Sequence, residues 1–364
     1  MSWIFYGLIF LGAASLLTEL LLIVFWKKNK QKKRSSELPE VSVLVAARNE
    51  EENIGRCLDS LLRLDYPTDK LEILVGNDAS TDSTEKILAG YVEKYEQIST
   101  IKITDQLGRA EAKANVLAHL AKAANGDYFF ITDADIQVSS QWIKGLLAHQ
   151  KDGDGIVSGI TTVTGSGWWE KFQNIEWLNA LGMVKVVTDM KIPVTAIGNN
   201  MMVTRAAYES TGGYENIKSS IVEDFQLTKE VVKQGYTISN IVDEAVLATT
   251  MPPDSLLTFL NQRKRWMQGT FQLPFLLICI LSIQAMTIPI MIGMLFFNSK
   301  LAALYFLVKF IFRVIYNTKL FQSVNQKINF VRILSYEFYT IVITFLMMLF
   351  YLLPGKIDWK GRKF

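Results

Sequence analysis

The chain has 364 residues, half of them hydrophobic, and a net charge of only +3. That length suits one or two domains, and the net charge argues neither for nor against a nucleic-acid partner. Two cysteines, Cys57 and Cys279, exclude a disulfide framework, and two histidines, His119 and His149, leave little room for a zinc centre or histidine catalysis. Catalysis in this chain is therefore expected to run on carboxylates.

The first apolar run, from Trp3 to Trp26, is broken only by Thr18 and Glu19. It suits a bilayer span of roughly 20 residues. A cleaved signal peptide fits less well, because the basic residues follow the run instead of preceding it. Those residues are Lys27, Lys28, Lys30, Lys32, Lys33 and Arg34. They place the following domain on the cytoplasmic face. A nucleic-acid patch is the alternative for this cluster, and its position at the membrane exit speaks against it.

After a polar linker containing Pro39, Val41–Ala47 reads as a buried parallel strand. Asn49–Asn53 opens an acid-rich helix. Leu71–Val75 is a second strand, and Ser80–Ser83 offers caps for a second helix. Ile101–Ile103, Ala110–Ala124 and Tyr128–Thr132 continue as strand, helix and strand. This alternation predicts a mainly parallel α/β sheet, with ligands at the carboxyl ends of the strands. Asp78 and Asp133 both fall on that edge. Further on, Ile156–Val163 and Val194–Val203 read as strands. Trp168–Asp189 and Glu223–Gln234 read as helices, the latter ended by Gly235.

Phe271–Phe297 is almost free of charge and long enough to span. Leu301–Tyr316 is shorter and carries Lys309 and Arg313, whereas Ile333–Leu353 is again span-like. Three crossings would put the basic tail, with Lys356, Lys360, Arg362 and Lys363, outside. An interfacial Leu301–Tyr316 would bring the tail inside at the cost of a basic loop outside. The resulting division is an N-terminal membrane helix (1–26), a basic linker (27–40), a cytoplasmic domain (41–270), a membrane region (271–353) and a basic tail (354–364).

Several acidic sites and one mixed motif carry the chemistry. Asp78, in Gly76-Asn-Asp-Ala-Ser80, can accept hydrogen bonds from a base or ribose, or simply cap a turn. Asp133-Ala-Asp135 ends the most apolar strand, where a turn of the backbone lets both carboxylates reach one cation. Magnesium keeps waters and substrate phosphates and needs few protein ligands. Glu223-Asp224 opens a helix, as a pair matched to the helix dipole or as a general base with its neighbour. Gln262, Arg265 and Trp266 share one helical face, suited to a diphosphate and a ring. Arg263 and Lys264 are assigned to the membrane surface, together with the Trp168-Trp169 belt.

These motifs, in this order, resemble those of membrane-bound family 2 glycosyltransferases with the A-type nucleotide-sugar-binding fold. The resemblance runs from Val41 to Trp266. It rests on Val-Ser-Val-Leu-Val-Ala-Ala-Arg-Asn-Glu, Asn-Asp-Ala-Ser-Thr-Asp, Asp-Ala-Asp, Glu-Asp and Gln-x-x-Arg-Trp. The last motif is typical of cellulose, chitin, hyaluronan and poly-N-acetylglucosamine synthases and of ceramide glucosyltransferases. The resemblance implies that Asp78 binds the base, that Asp133 lies near ribose and metal, and that Asp135 ligates Mg2+ or Mn2+. It implies Asp224 as catalytic base beside Glu223, and Lys113, Gln262, Arg265 and Trp266 as contacts to the nucleotide-sugar. Gly198, Asn199 and Asn200 match an acceptor loop. Asn77, Ala79, Ala112 and Ala118 depart from the family's usual Asp, Gly, Gly and Asn.

The implied reaction is inverting transfer from a nucleotide-sugar, UDP-linked by resemblance, to a membrane acceptor. A lipid acceptor is favoured over a processive polysaccharide product because the apolar segments are few. A non-catalytic scaffold is opposed by the intact acids. A transporter is opposed by charges lying mainly outside the apolar runs. The sequence names no partner subunit.

Overall fold

The computed structural model describes residues 2–30, 37–220 and 222–352, with the pairs 358–359 and 362–363. Lys32, Lys33 and Arg34 of the linker, and Lys356 and Lys360 of the tail, lie outside the described residues. The chain forms two compact units, one of Met1–Lys27 with Pro253–Ile357 and one of Lys28–Pro252 with Asp358–Phe364. The first helix, α1 (Ser2–Val24), belongs to the former, a helical unit.

The other unit is α/β. Its amino-terminal half alternates β1 (Val41–Ala47), α2 (Ile54–Leu62), β2 (Leu71–Asn77), α3 (Thr84–Lys94), β3 (Ile98–Lys102), α4 (Ala112–Ala123) and β4 (Tyr128–Asp133). It continues with β5 (Ile136–Gln137), α5 (Trp142–His149), β6 (Asp154–Ser158), β7 (Ile160–Val163), α6 (Trp168–Asp189) and β8 (Asn200–Thr204). It closes with α7 (Arg205–Ser210), α8 (Glu223–Lys233), β9 (Thr237–Asn240) and β10 (Leu247–Thr250). The main sheet has the order β3-β2-β1-β4-β8-β6-β9, and β5-β10-β7 form a smaller one. Strands β3, β2, β1 and β4 are parallel, and β8 runs antiparallel between β4 and β6.

The β1 run is apolar because both sheet faces are covered. Val43 and Val45 join Ile54, Leu58, Ile73 and Phe130 on one face. Leu44 joins Leu74, Leu117, Phe129 and Met201 on the other. Successive side chains alternate, so each strand feeds both cores. Burying each large aliphatic side chain contributes roughly 1.5–3 kcal/mol. Helix α4 lies directly on β2, since a Cβ at Gly76 would stand only 2.2 Å from a Val116 methyl.

Two expected strands differ. The run Ile156–Val163 is divided at Gly159 into β6 and β7, which join different sheets. A Cβ there would meet the Asn200 amide at 2.5 Å, so the chain turns where only glycine fits. In Val194–Val203, only the part from Asn200 is strand. The Ala196 and Gly198 N–H groups donate to Thr228 Oγ1 and Asp224 Oδ2 of α8, not to a ladder. Shorter shifts also occur. Helix α2 starts at Ile54 rather than within Asn49–Asn53, and β3 begins at Ile98 rather than Ile101.

In the helical unit, α1 is joined by α9 (Leu256–Thr270), α10 (Phe275–Ala285), α11 (Thr287–Phe297), α12 (Ser299–Ser323) and α13 (Phe330–Leu352). Helices α1, α12 and α13 are each long and apolar enough to cross a membrane, and α10 with α11 would form a further span bent by 51°. Pro289 explains the bend: it has no N–H to continue the ladder through Met286. The segment expected to be short, Leu301–Tyr316, is part of a continuous 25-residue helix. Its Lys309 and Arg313 are paired inside the unit. Lys309 Nζ donates to Gln284 Oε1 (2.7 Å), Ser15 Oγ (3.0 Å) and Glu19 Oε1 (3.3 Å). Arg313 bridges Glu19 (3.2 Å) and Glu337 (3.3 Å).

Candidate active site

The parallel strands β2 and β4 end at Asn77 and Asp133, beside each other across β1, and the first turns of α4 and α8 carry the remaining polar groups. Lys113, in the first turn of α4, is the hub. Its Nζ lies 2.5 Å from Asp133 Oδ1 and 2.9 Å from Glu223 Oε1, and it donates to the Gly198 carbonyl at 3.4 Å. Burial alone would lower the ammonium's pKa. The charges of Asp133 and Glu223 outweigh it and raise the pKa, so Lys113 stays protonated.

Asp224 lies half-buried beside this hub. Its Oδ2 accepts from the Gly198 N–H and its Oδ1 from the Phe225 N–H, both at 2.8 Å. The two bonds fix the carboxylate's orientation. Glycine at 198 is required, because a Cβ would stand 2.7 Å from that of Asp224. Burial and then the Glu223 charge push the Asp224 pKa up to about 6, against the opposing pull of Lys113 and the two N–H donors. This carboxyl is thus poised to exchange a proton near neutral pH.

Asp78 follows β2. Arg48 Nη1 donates to its carbonyl at 2.7 Å and lies 3.8 Å from its carboxylate. Asp135 stands past the end of β4, and one of its oxygens accepts from Thr250 Oγ1 at 3.3 Å. Both Asp133 and Asp135 act on the buried Cys57 thiol, raising its pKa after burial itself. The two carboxylates therefore share one neighbourhood. Among the described residues no group of three or more His, Cys, Asp or Glu could enclose an ion. A pair of hard oxygen donors fits a divalent cation that completes its shell with waters and phosphates, and does not fit an all-protein cage.

The acceptor-loop residues separate. Gly198 touches both Lys113 and Asp224. Asn199 accepts from Thr132 Oγ1 through its carbonyl and from Thr161 Oγ1 through its side chain. Asn200 is fully buried. Its amide accepts from Trp142 Nε1 and donates to the Ile160 and Val246 carbonyls. An acceptor-facing Asn200 is therefore corrected to a core residue that ties β8 to α5 and the smaller sheet. Glu223 serves the Lys113 hub.

Gln262, Arg265 and Trp266 lie on α9, in the helical unit. Assignment of Arg263 to the membrane surface is also corrected. Arg263 is buried, and its guanidinium lies 4.4 Å from the Phe259 ring centroid and 4.3 Å from that of Trp266. Its Nη1 donates to Gln262 Oε1 at 2.6 Å. Lys264 sits over the Phe350 ring at 5.3 Å. Arg263 thus holds two members of the motif it was separated from, and the only sequence signal was its i−4 and i+3 aromatic neighbours. Tyr214 carries no such signal in the sequence. Its buried hydroxyl has no hydrogen-bond partner among the described residues, and burial and then the Glu223 charge raise its pKa.

Ala79 and Ala112 stand where resemblance leads one to expect glycine, and they adopt φ of +50° and +49°. That left-handed region costs a non-glycine residue roughly 1–2 kcal/mol. Ala112→Gly is expected to stabilise the protein by up to about 1 kcal/mol once the looser unfolded chain is counted. Thermal unfolding would show it, and a lower Tm would contradict the strain.

A mixed sheet of this order, with acids gathered at the ends of its parallel strands, defines an A-type glycosyltransferase fold. The whole chain resembles a mannosyltransferase from Pyrobaculum calidifontis, solved in complex with GDP-Man and Mn2+. The match has a TM-score of 0.62 at 17% identity and covers 96% of this chain and 98% of that one. The model of the family described as Glycosyl transferase family 21 matches residues 7–364, and the chain belongs to that family, a family 2-like group of glycosyltransferases. A probable glycosyltransferase YdaM of Bacillus subtilis is 30% identical over 67% of this chain and 57% of its own length. A beta-monoglucosyldiacylglycerol synthase of Nostoc is 28% identical over 67% of this chain and 52% of its own. A poly-beta-1,6-N-acetyl-D-glucosamine synthase of Staphylococcus aureus is 27% identical over 64% and 55%. The matched region thus spans little more than half the length of these relatives.

Proposed function

We propose that this glycosyltransferase moves a sugar, with inversion, from a UDP-sugar to a lipid acceptor at the cytoplasmic face of a membrane. The observation that carries the reading is the Asp224 carboxylate, oriented by two N–H donors and shifted to a pKa of about 6. Asp224 takes the proton of the acceptor hydroxyl as its oxygen attacks the anomeric carbon and the bond to the diphosphate breaks. Glu223 and Asp133 hold Lys113 charged beside it. Asp78 receives the base, and Asp133 and Asp135 are the residues that would hold Mg2+ or Mn2+. Such an ion supplies positive charge against the leaving diphosphate. Gln262, Arg265 and Trp266 bind donor diphosphate and acceptor, with Arg265 offering a fork to phosphate.

The likeness to a beta-monoglucosyldiacylglycerol synthase supports a lipid acceptor, and the apolar helices supply the setting. The likeness to a poly-beta-1,6-N-acetyl-D-glucosamine synthase supports processive synthesis as the second reading. Membranes containing the protein, given labelled UDP- and GDP-sugars with Mg2+ or Mn2+, should yield a short lipid-soluble product from a UDP-sugar. A long polymer would favour the second reading, and no binding of any nucleotide-sugar would sink both.

If Gln262 and Trp266 act as proposed, Arg263 positions them. Arg263→Met should lower kcat/KM on the order of tenfold, since desolvated cation–π contacts reach about 2 kcal/mol. Arg263→Lys should recover part of the loss. Wild-type kinetics for Arg263→Met would remove the positioning role.

A further inference from the structure

Contacts within the helical unit order its helices by depth. Along α1 and α12 the pairs rise together: Ser15 with Tyr305 (3.1 Å), Glu19 with Arg313 (3.2 Å), and the Trp26 and Tyr316 rings (5.8 Å between centroids). The two helices are therefore parallel. Along α10 and α11 the order is reversed. Gln284 meets Ser15 (3.0 Å), Gly293 faces Leu8, and the Phe297 and Phe5 rings lie 5.3 Å apart. Helices α10 and α11, each about 16 Å long, are individually too short for a core of about 30 Å, but in sequence they bridge it. The chain thus crosses on α1, returns on α10–α11, and crosses again on α12. Helix α12 ends on the side of the membrane where α1 ends at Lys27.

Helix α13 is tied at two places, and both lie on that same side. Glu337 pairs with Arg313, one turn before Tyr316 at the Lys27 end of α1. Tyr351, about 21 Å further along the helix axis, has its ring 5.7 Å from that of Phe271, which precedes α10. Lys264 of α9 covers the neighbouring Phe350. A helix crossing the hydrocarbon core cannot hold its third turn and its last turn, about 21 Å apart along the axis, near one and the same face.

We infer that α13 does not cross the bilayer, although its length and composition allow it. It lies along the leaflet on the Lys27 side, with an apolar face inserted at the boundary of headgroups and acyl chains. Phe330, Leu334, Phe338, Val342, Phe345 and Leu349 form that face, recurring at three- and four-residue intervals and exposed on the protein. The partner of this surface is the lipid leaflet itself. Charge agrees with the path. Lys319, Lys327 and Arg332 fall on one side with Lys27, and the path predicts that same side for the basic residues that follow α13 in the sequence. At the junction of α11 and α12, on the other side, the one basic residue is Lys300, in the first turn of α12. The conflict between the basic tail and an external C-terminus disappears.

Sealed vesicles of known orientation test the path. In a Cys57→Ala/Cys279→Ser background, Gln326→Cys and Gly361→Cys should react with a membrane-impermeant maleimide from one side. Ser299→Cys should react from the other. Reaction of Gly361→Cys from the Ser299 side would overturn the inference. Should the Cys57 replacement impair folding, the natural chain with an epitope tag after Phe364 serves instead. The tag should be lost to protease in the same vesicles in which the α/β unit is digested. Its survival there would mean that α13 crosses.

Discussion

Asp224→Asn should lower transfer by roughly 10^2–10^4-fold, the usual contribution of a positioned general base, while donor affinity stays close to wild type. The amide keeps an acceptor for the Gly198 N–H, so the loop holding it need not move. Because the base must be ionised, kcat should rise with pH through about 6 and then level off. Stability should show the opposite trend. The folded pKa is raised above the ordinary value of 3.8, so the native state holds this proton more tightly between pH 3.8 and about 6. Below that window both states are protonated and nothing is lost. Above it, folding carries the full cost of an ionised buried carboxylate, roughly 2–3 kcal/mol. The Asn variant should therefore unfold at a higher temperature than wild type at pH 8, with the difference fading towards pH 4. Kinetics with a pH-independent kcat, or an Asn variant with normal turnover, would remove Asp224 from the role of base.

The sequence exposes features that depend on near neighbours along the chain. Strands β1, β2 and β4 show as apolar runs because both faces are covered, and Asp78 and Asp133 follow such runs directly. Glu223 and Asp224 announce themselves at a helix start. Features that depend on distant partners stay hidden. Gly159 divides a continuous β-type run because Asn200 and Val246 crowd it. Asn200 resembles a loop residue until Trp142, Ile160 and Val246 claim its amide. Arg263 has the composition of a membrane-surface cation, and only its side-chain direction reveals that it sits between two rings. Helix α12 looks broken by charge because the partners of Lys309 and Arg313, among them Glu19 near the other end of the chain, are invisible locally.

That last network gives the second large effect. Glu19, Lys309, Arg313 and Glu337 balance in sign, and Ser15 and Gln284 complete the hydrogen bonds of Lys309. Charges in such an apolar setting persist only when paired, so losing one member leaves another without compensation. Arg313→Ala should destabilise the helical unit by about 3–5 kcal/mol, because both Glu19 and Glu337 lose their shared partner. Glu19→Gln should cost less, since the amide still accepts from Lys309 and Arg313 once their charge is shared with Glu337. Replacing Arg313 by Leu and Glu337 by Gln together leaves Glu19 balanced by Lys309 and should recover much of the loss, because no buried charge is then stranded. Thermal unfolding of the detergent-solubilised full chain measures each step. If Arg313→Ala unfolds like wild type, the network does not hold α1, α12 and α13 together. If the double replacement is no better than the single one, geometry rather than charge balance limits the unit.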